Sequence, residues 1–242
     1  MATDCLDCPL RNCGLFVPFS AEELEFMREF KAGEITVMPG ETFLSEGDGS
    51  SGLYTVLEGA GTRYKTLEDG RRQVINFLLP GDFIGMQASL MGEMKHSASA
   101  STVMRLCRFN RADLWKLFRS YPERAYALTW IGAVEEHFLG EAIATLGQRD
   151  AGQRLGWALL RLHARQMAAG LARGMAVPLA FRQQDLADAL GLSLVHTNKT
   201  LARFRRAGWA DWSKGWLKIP DRATLAHHCG VENEGPEPRP LI

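Results

Sequence analysis

The sequence predicts an α+β chain: a jelly-roll-like β-roll, then a long helix, then a C-terminal helix-turn-helix with a small β-wing. Three observations carry that prediction. Residues 32–109 alternate short apolar runs with Gly-bearing turns, the pattern of a small antiparallel barrel or roll. Leu128, Ile131, Val134, Phe138, Ala142 and Thr145 recur three or four residues apart, which is one stripe on one helix. Residues 181–209 read as two short helices broken at Gly191. A chain of 242 residues has room for two domains, and 46% apolar content is enough for real cores.

Taken in order, the first ten residues, MATDCLDCPL, lack the basic and apolar regions of a secretory signal, so a cytoplasmic protein is expected. No apolar run is long enough to cross a bilayer, and no membrane partner is expected. Five cysteines, an odd count, do not make a disulfide framework. Cys5, Cys8 and Cys13 crowd together and invite a metal or redox reading, with a reactive tail or an incidental zinc site as the plainer alternatives. Ser20 followed by Glu23 is a capping box that opens a short helix through about Phe30.

The β-run follows. Glu34–Val37, Leu53–Leu57, Val74–Leu79 and Val103–Phe109 are strand candidates, separated by turns at Gly40, Gly47, Gly59, Gly70 and Gly81, with Asp69-Gly70 as a hairpin turn. Residues 111–148 read as helix, and the Leu128–Thr145 stripe is expected to pair with a second copy in a homodimer, or else to pack on its own barrel. Arg154–Gly170 is a further helix. The Pro- and Glu-rich end reads as a frayed tail, and Cys229 beside His227 and His228 as a bystander. The expected organisation is a cysteine-bearing segment at 1–18, a sensor roll at 19–118, a dimerisation helix at 119–148, a winged helix-turn-helix at 149–225 and a flexible tail at 226–242.

The helix pair carries the chemistry. Gln183–Leu190 has helical apolar spacing, Gly191 breaks it, and Ser193 caps a second helix running to about Arg206. Net charge is zero, yet Arg182, Lys199, Arg203, Arg205, Arg206, Lys214 and Lys218 face only three acids between positions 182 and 218. A helix with cations and short polar side chains (His196, Thr197, Asn198) suits the major groove of double-stranded DNA. Ser213-Lys214-Gly215 is a tight hairpin that puts Lys214 at a wing tip near phosphate, and Trp209, Trp212 and Trp216 read as wing core. No nucleophile–base pair or phosphate-binding glycine loop supports an enzyme.

Several motifs in register resemble the Crp/Fnr family of bacterial transcription regulators, over about Phe19 to Leu225. They are Glu46-Gly47-Asp48, then Leu53-Tyr54-Thr55-Val56-Leu57-Glu58-Gly59, then Pro80-Gly81-Asp82-Phe83-Ile84-Gly85, followed by the long helix and the winged helix-turn-helix. The resemblance implies a cyclic-nucleotide-binding-like roll, a homodimer, a two-fold repeat operator and work with RNA polymerase. Members that sense cyclic AMP hold it with a Glu and an Arg-Ser pair; Met86 and His96-Ser97 stand there instead. A thioether cannot accept the ribose hydroxyl bond, and a neutral His is a poor bidentate donor, which argues against cyclic AMP. Lys95, one residue away, is expected to face the wrong side.

Fnr-type members hold a [4Fe-4S] cluster with three N-terminal cysteines and one in the roll. The resemblance therefore implies Cys5, Cys8, Cys13 and Cys107 as ligands and oxygen as the signal. The plainer reading of Cys107 is a small apolar residue on the face of Val103 and Phe109. The rival within the fold is a different effector near Met86, His96 and Ser97 (haem, nitric oxide or a small organic ligand), or none. At the recognition helix, Val195 and Lys199 stand where the commonest operator is read by Glu and Arg, so the half-site is expected to differ. Base contacts are expected from His196, Asn198 and Lys199, and phosphate contacts from Arg203, Arg205, Arg206 and Lys214, with Arg182 and Ser193 beside them.

Overall fold

The computed structural model describes residues 2–49 and 52–242. The chain forms two compact units, one from residues up to Val134 together with Pro238–Ile242, the other from Glu135–Glu237. Among the described residues, no helix is long and apolar enough to cross a membrane.

The first unit begins with two short 3-10 turns, Cys5–Asp7 and Pro9–Asn12, and then helix α1 (Ala21–Phe30). Both halves of the Ser20/Glu23 capping box are formed at its start, as the spacing predicts. Eight strands follow: β1 (Lys31–Val37), β2 (Thr42–Leu44), β3 (Leu53–Glu58), β4 (Gly61–Thr66), β5 (Arg72–Leu78), β6 (Phe83–Ile84), β7 (Ser97–Ala100) and β8 (Met104–Phe109), with helix α2 (Met86–Met91) before β7. They make two antiparallel sheets, ordered β1-β8-β3-β6 and β2-β7-β4-β5. Side chains alternate across a strand, so Met104 and Leu106 of β8 join Val37, Leu44, Val56 and Leu78 inside the roll. Cys107 and Phe109 then fall on the outer face, where Leu53, Phe83 and Phe109 pack with Phe26, Met27 and Phe30 of α1.

Gly59, which closes the quoted β3 motif, is held at φ +87°, and a Cβ there would lie 2.3 Å from the Val103 carbonyl oxygen and 2.9 Å from the Met104 Cα. Both neighbours are backbone and cannot swing away. Gly59→Ala is therefore expected to destabilise the first unit by about 3 kcal/mol or more, read as a lower urea midpoint; an unchanged midpoint would contradict this packing.

Residues 111–148 are not one helix. A 3-10 turn at Arg111–Asp113 leads into α3 (Leu114–Ser120), and α4 (Pro122–Gln148) starts afresh. The cause is Pro122: it has no N–H to donate and keeps Tyr121 out of the helical region, at φ −136° and ψ 73°.

The expected dimer stripe needs a larger correction. Leu128 and Ile131 are buried in the core of the first unit. Phe138 is 6% exposed and Thr145 fully buried. The Phe138 ring stacks on Trp157 with centroids 6.1 Å apart, and the Arg161 guanidinium lies 4.4 Å from its centroid. Arg149 donates to the Thr145 hydroxyl at 2.8 Å. These four are filled by their own chain and are not available to a second copy; Val134 and Ala142 are half-buried. The face left open on α4 carries Tyr126, Ala133, Gly140, Ile143 and Gly147, at intervals of seven, three or four residues, as a helix-pairing seam requires.

The second unit continues with α5 (Ala151–Ala168), capped by Asp150 and Gln153, then β9 (Ala176–Pro178), α6 (Gln183–Leu190), α7 (Leu194–Arg206), β10 (Asp211–Ser213), β11 (Trp216–Lys218) and α8 (Arg222–Cys229). The wing is a three-stranded sheet ordered β10-β11-β9, one strand more than the hairpin predicted. Its tryptophans are half-buried wing core: Trp209 packs on Phe204 and His228, and Trp212 donates to the Leu179 carbonyl.

The flexible tail at 226–242 is also corrected. Its first residues complete α8, and the Cys229 thiol is buried where a Cβ on Gly156 of α5 would meet it at 2.3 Å. Its last two, Leu241 and Ile242, are 5% and 4% exposed. The Ile242 side chain joins the α1/β3 core, which composition averaged over the Pro- and Glu-rich segment conceals.

Candidate nucleic-acid interface

Gly191 ends α6 in the left-handed region, at φ +60°, a conformation glycine adopts without steric cost. Ser193 then caps α7 by accepting from the His196 N–H at 3.2 Å. Leu186, Ala187 and Leu190 of α6 and Phe204 of α7 are buried and fix the angle between the two helices. Thr197 and Thr200 lie on that same inward face and are buried. Thr197 is thus withdrawn from the base-reading set the sequence suggested, because it sits seven residues before Phe204, two helical turns away.

What remains outward is polar and cationic. Ser193, Val195, His196, Lys199, Arg203 and Arg206 line one groove along α7, which the buried Thr200 also borders. Asn198 and Arg205 are exposed on its neighbouring edge. Val195 is 64% exposed, apolar surface that can meet a thymine methyl. Two of the expected cations are already engaged. The Arg182 guanidinium contacts the buried Asp185 carboxylate at 2.6 Å, which raises the Arg182 pKa through that hydrogen bond. The Arg203 guanidinium lies over the start of α5, where a Cβ on Gly152 would fall 2.4 Å from it. Arg203 can meet a phosphate from there, whereas Arg182 serves the entry to α6.

The wing tip is a two-residue turn between Ser213 and Trp216, with Lys214 at φ +50° and Gly215 at φ +77°. That pair of positive angles matches the twist of a tight hairpin. It holds the Lys214 ammonium at the exposed end of the wing.

In the roll, His96 is 5% exposed and accepts from the Arg63 guanidinium at 3.1 Å through Nε2. Burial first, and the Arg63 and Lys65 charges after it, hold its pKa near 3. His96 therefore stays neutral and is itself hydrogen-bonded to an arginine, unlike an anion-binding guanidinium. Lys95 points outward and pairs with Glu93. Met86 packs against the α1/β3 core and the Ser97 hydroxyl accepts from the Glu46 N–H, so the expected effector residues have different partners.

Because unfolding lets His96 take up a proton at pH values where the folded chain excludes it, stability should fall as pH drops from about 6.5 towards 3. His96→Gln is expected to remove roughly 2 kcal/mol of the loss between pH 7 and pH 5, read by urea unfolding at both pH values. Equal losses in parent and variant would contradict a neutral, buried His96.

Cys5, Cys8 and Cys13 sit half-buried along the two 3-10 turns, and Cys107 half-buried on β8. Burial raises the thiol pKa of Cys5 and of Cys13 and pushes Cys107 up to about 11. Cys107 senses the charges of Lys31, Glu34, Cys8 and Cys5, and Cys13 senses that of Cys8, so the four belong to one neighbourhood. Lys31 and Glu34 form a buried pair at 2.6 Å beside them. Among the described residues, no group of three or more His, Cys, Asp or Glu side chains is drawn close enough to hold a metal ion.

Comparison with known proteins agrees with this architecture. Residues 34–121 match the cyclic nucleotide-binding domain, and residues 153–228 the Crp-like helix-turn-helix domain. The nitrogen fixation regulation protein FixK of Bradyrhizobium diazoefficiens is 33% identical over 91% of this chain and 92% of its own length. The transcriptional activator protein FnrL of Cereibacter sphaeroides is 28% identical over 96% and 94%. The solved structure of FixK2 from Bradyrhizobium japonicum superposes with a TM-score of 0.72 at 26% identity, covering 80% of this chain and 95% of that one. Such regulators bind DNA and act as dimers, and they are not enzymes. A capped cationic helix on a helix-turn-helix, joined to an antiparallel roll and matched along nine-tenths of its length, makes this chain a DNA-binding transcription regulator of the Crp/Fnr family.

Proposed function

We propose that the chain is an oxygen- or redox-responsive transcription regulator whose N-terminal cysteines and Cys107 hold a [4Fe-4S] cluster. The grouping of the four thiols carries the reading: Cys5 and Cys8 lie within electrostatic reach of Cys107, and Cys13 within reach of Cys8. Four thiolates are the ligand number and type such a cluster takes. Lys31 favours the thiolate form of Cys107 and of Cys5, and Glu34 holds Lys31 in place. When bound, the cluster supplies an oxygen-labile, redox-active group. The α7 helices of a dimer then read a two-fold repeat operator, with His196, Asn198 and Lys199 at base edges, Arg203, Arg205, Arg206 and Lys214 at phosphates, and RNA polymerase as the protein partner.

A second reading is favoured by the burial of Cys107 and by the absence, among the described residues, of a converged ligand group. In it the same DNA-binding dimer has no cluster, and answers to haem, nitric oxide or a small organic ligand in the roll, or to nothing. Anaerobic purification separates the two. The first reading expects a coloured protein with equal iron and sulfide, bleached by air with loss of operator affinity, and colourless Cys8→Ser and Cys107→Ala variants. A colourless, iron-free parent that binds DNA equally with and without oxygen would remove it.

A further inference from the structure

Pro238–Ile242 packs on the first unit through contacts that have the parts of a peptide-binding cleft. The Arg239 N–H donates to the Leu15 carbonyl at 2.8 Å, and the Val17 N–H to the Arg239 carbonyl at 2.9 Å, a parallel bridge between Phe16 and Arg239. The Arg239 guanidinium meets the Asp82 carboxylate at 3.2 Å, with both side chains largely buried. Asp82 is aimed by accepting from the Leu79 N–H at 2.9 Å. Beyond it, Arg124 donates to the Leu241 carbonyl at 3.3 Å and the Thr55 hydroxyl to the Ile242 carbonyl. The Ile242 side chain enters the cluster of Phe26, Leu53 and Phe83.

In strand-addition recognition of an extended peptide, backbone pairing supplies affinity and side-chain contacts supply specificity; here the latter are one buried charge pair and an apolar anchor. Pro238 and Pro240 pre-set the extended backbone, which reduces the entropy lost on docking. Attachment is local: residues 232–235, which lead here from α8, are exposed. We propose that this cleft is a peptide-recognition site of the sensor unit for an extended Arg-Pro-apolar-apolar segment, and that the chain's own Pro238–Ile242 is its resident, releasable ligand. Thr55 is the cross-strand partner of Cys107. Cys107 also packs against the cluster that Ile242 completes, so the docked segment shields that thiol and its release uncovers it.

The test uses the full chain, purified in air and free of iron, so that its outcome does not depend on the cluster reading. Ile242→Asp and Arg239→Glu should each speed hydrogen exchange at the Val17 amide and alkylation of Cys107 by N-ethylmaleimide, by roughly tenfold or more. The Val56 amide, which donates to Asp82 inside the roll, should stay protected. A synthetic peptide of residues 236–242 should restore both rates, and the same peptide with Glu in place of Arg239 should not. Should Ile242→Asp fail to fold, Arg239→Gln, which removes the charge facing Asp82 and keeps the backbone pairing with Leu15 and Val17, carries the comparison. Unchanged rates in the variants that fold, or a peptide that restores nothing, overturn the proposal.

Discussion

Lys199→Ala should weaken operator binding by about 1–3 kcal/mol per half-site and relax selection at one base position, because a base-edge contact is lost twice in a dimer. Arg206→Ala should behave differently. It should weaken all sequences alike and lower the slope of log affinity against log salt by about two, one released counterion per half-site. Both residues lie in the α7 groove and both are exposed, so neither loss can be assigned to unfolding. Salt titrations on a selected operator and on scrambled duplexes separate the two effects. If both variants bind every duplex as the parent does, the groove is not the reading surface.

Ile143→Glu should dissociate the dimer. Ile143 is 70% exposed in the protomer, on the open face of α4 with Ala133 and Gly140, where small residues let two helices approach closely. Two glutamates facing each other across a seam are strongly unfavourable, whereas a solvent-facing glutamate alters protomer stability by about 0.5 kcal/mol at most. Sedimentation should therefore show a folded monomer that binds DNA at least about a hundredfold more weakly, since one half-site replaces two. Phe138→Ala should do the reverse. Enclosed by Trp157 and Arg161, it should cost about 3–5 kcal/mol of stability and leave the seam intact. A dimeric Ile143→Glu protein would return the seam to another face.

The contrast between these two residues shows what the sequence could and could not say. A period of three or four identifies an apolar stripe, and the Leu128–Thr145 stripe is real. Periodicity does not say what covers a stripe, and here the chain's own cores take it, leaving a weaker pattern of Tyr, Ala, Gly and Ile for another surface. The helix-turn-helix was legible because each of its signals is local: the Gly191 break, the Ser193 cap and the one-sided charge. Thr197 was read with the groove-facing side chains and is buried instead, although its two-turn spacing to Phe204 carried that signal.

Other features were hidden for physical reasons. Strand β7 is Ser-Ala-Ser-Ala, small residues with no β-branched signal, and is held by pairing with β2 and β4. Strand β6 is two residues long and gains its place only from β3. Docking of Leu241 and Ile242 depends on Thr55, Arg124 and Asp82, residues more than a hundred positions away, and no local pattern records it. The break at Pro122 was legible and should end any helix read through it.

The most direct measurement is methylation interference on an operator selected from random duplexes, read at guanine N7 in the major groove. Two interference patches on a two-fold sequence, centred about 10 base pairs apart, are the predicted result for paired α7 helices. A single patch, or interference confined to adenine N3 in the minor groove, would contradict it.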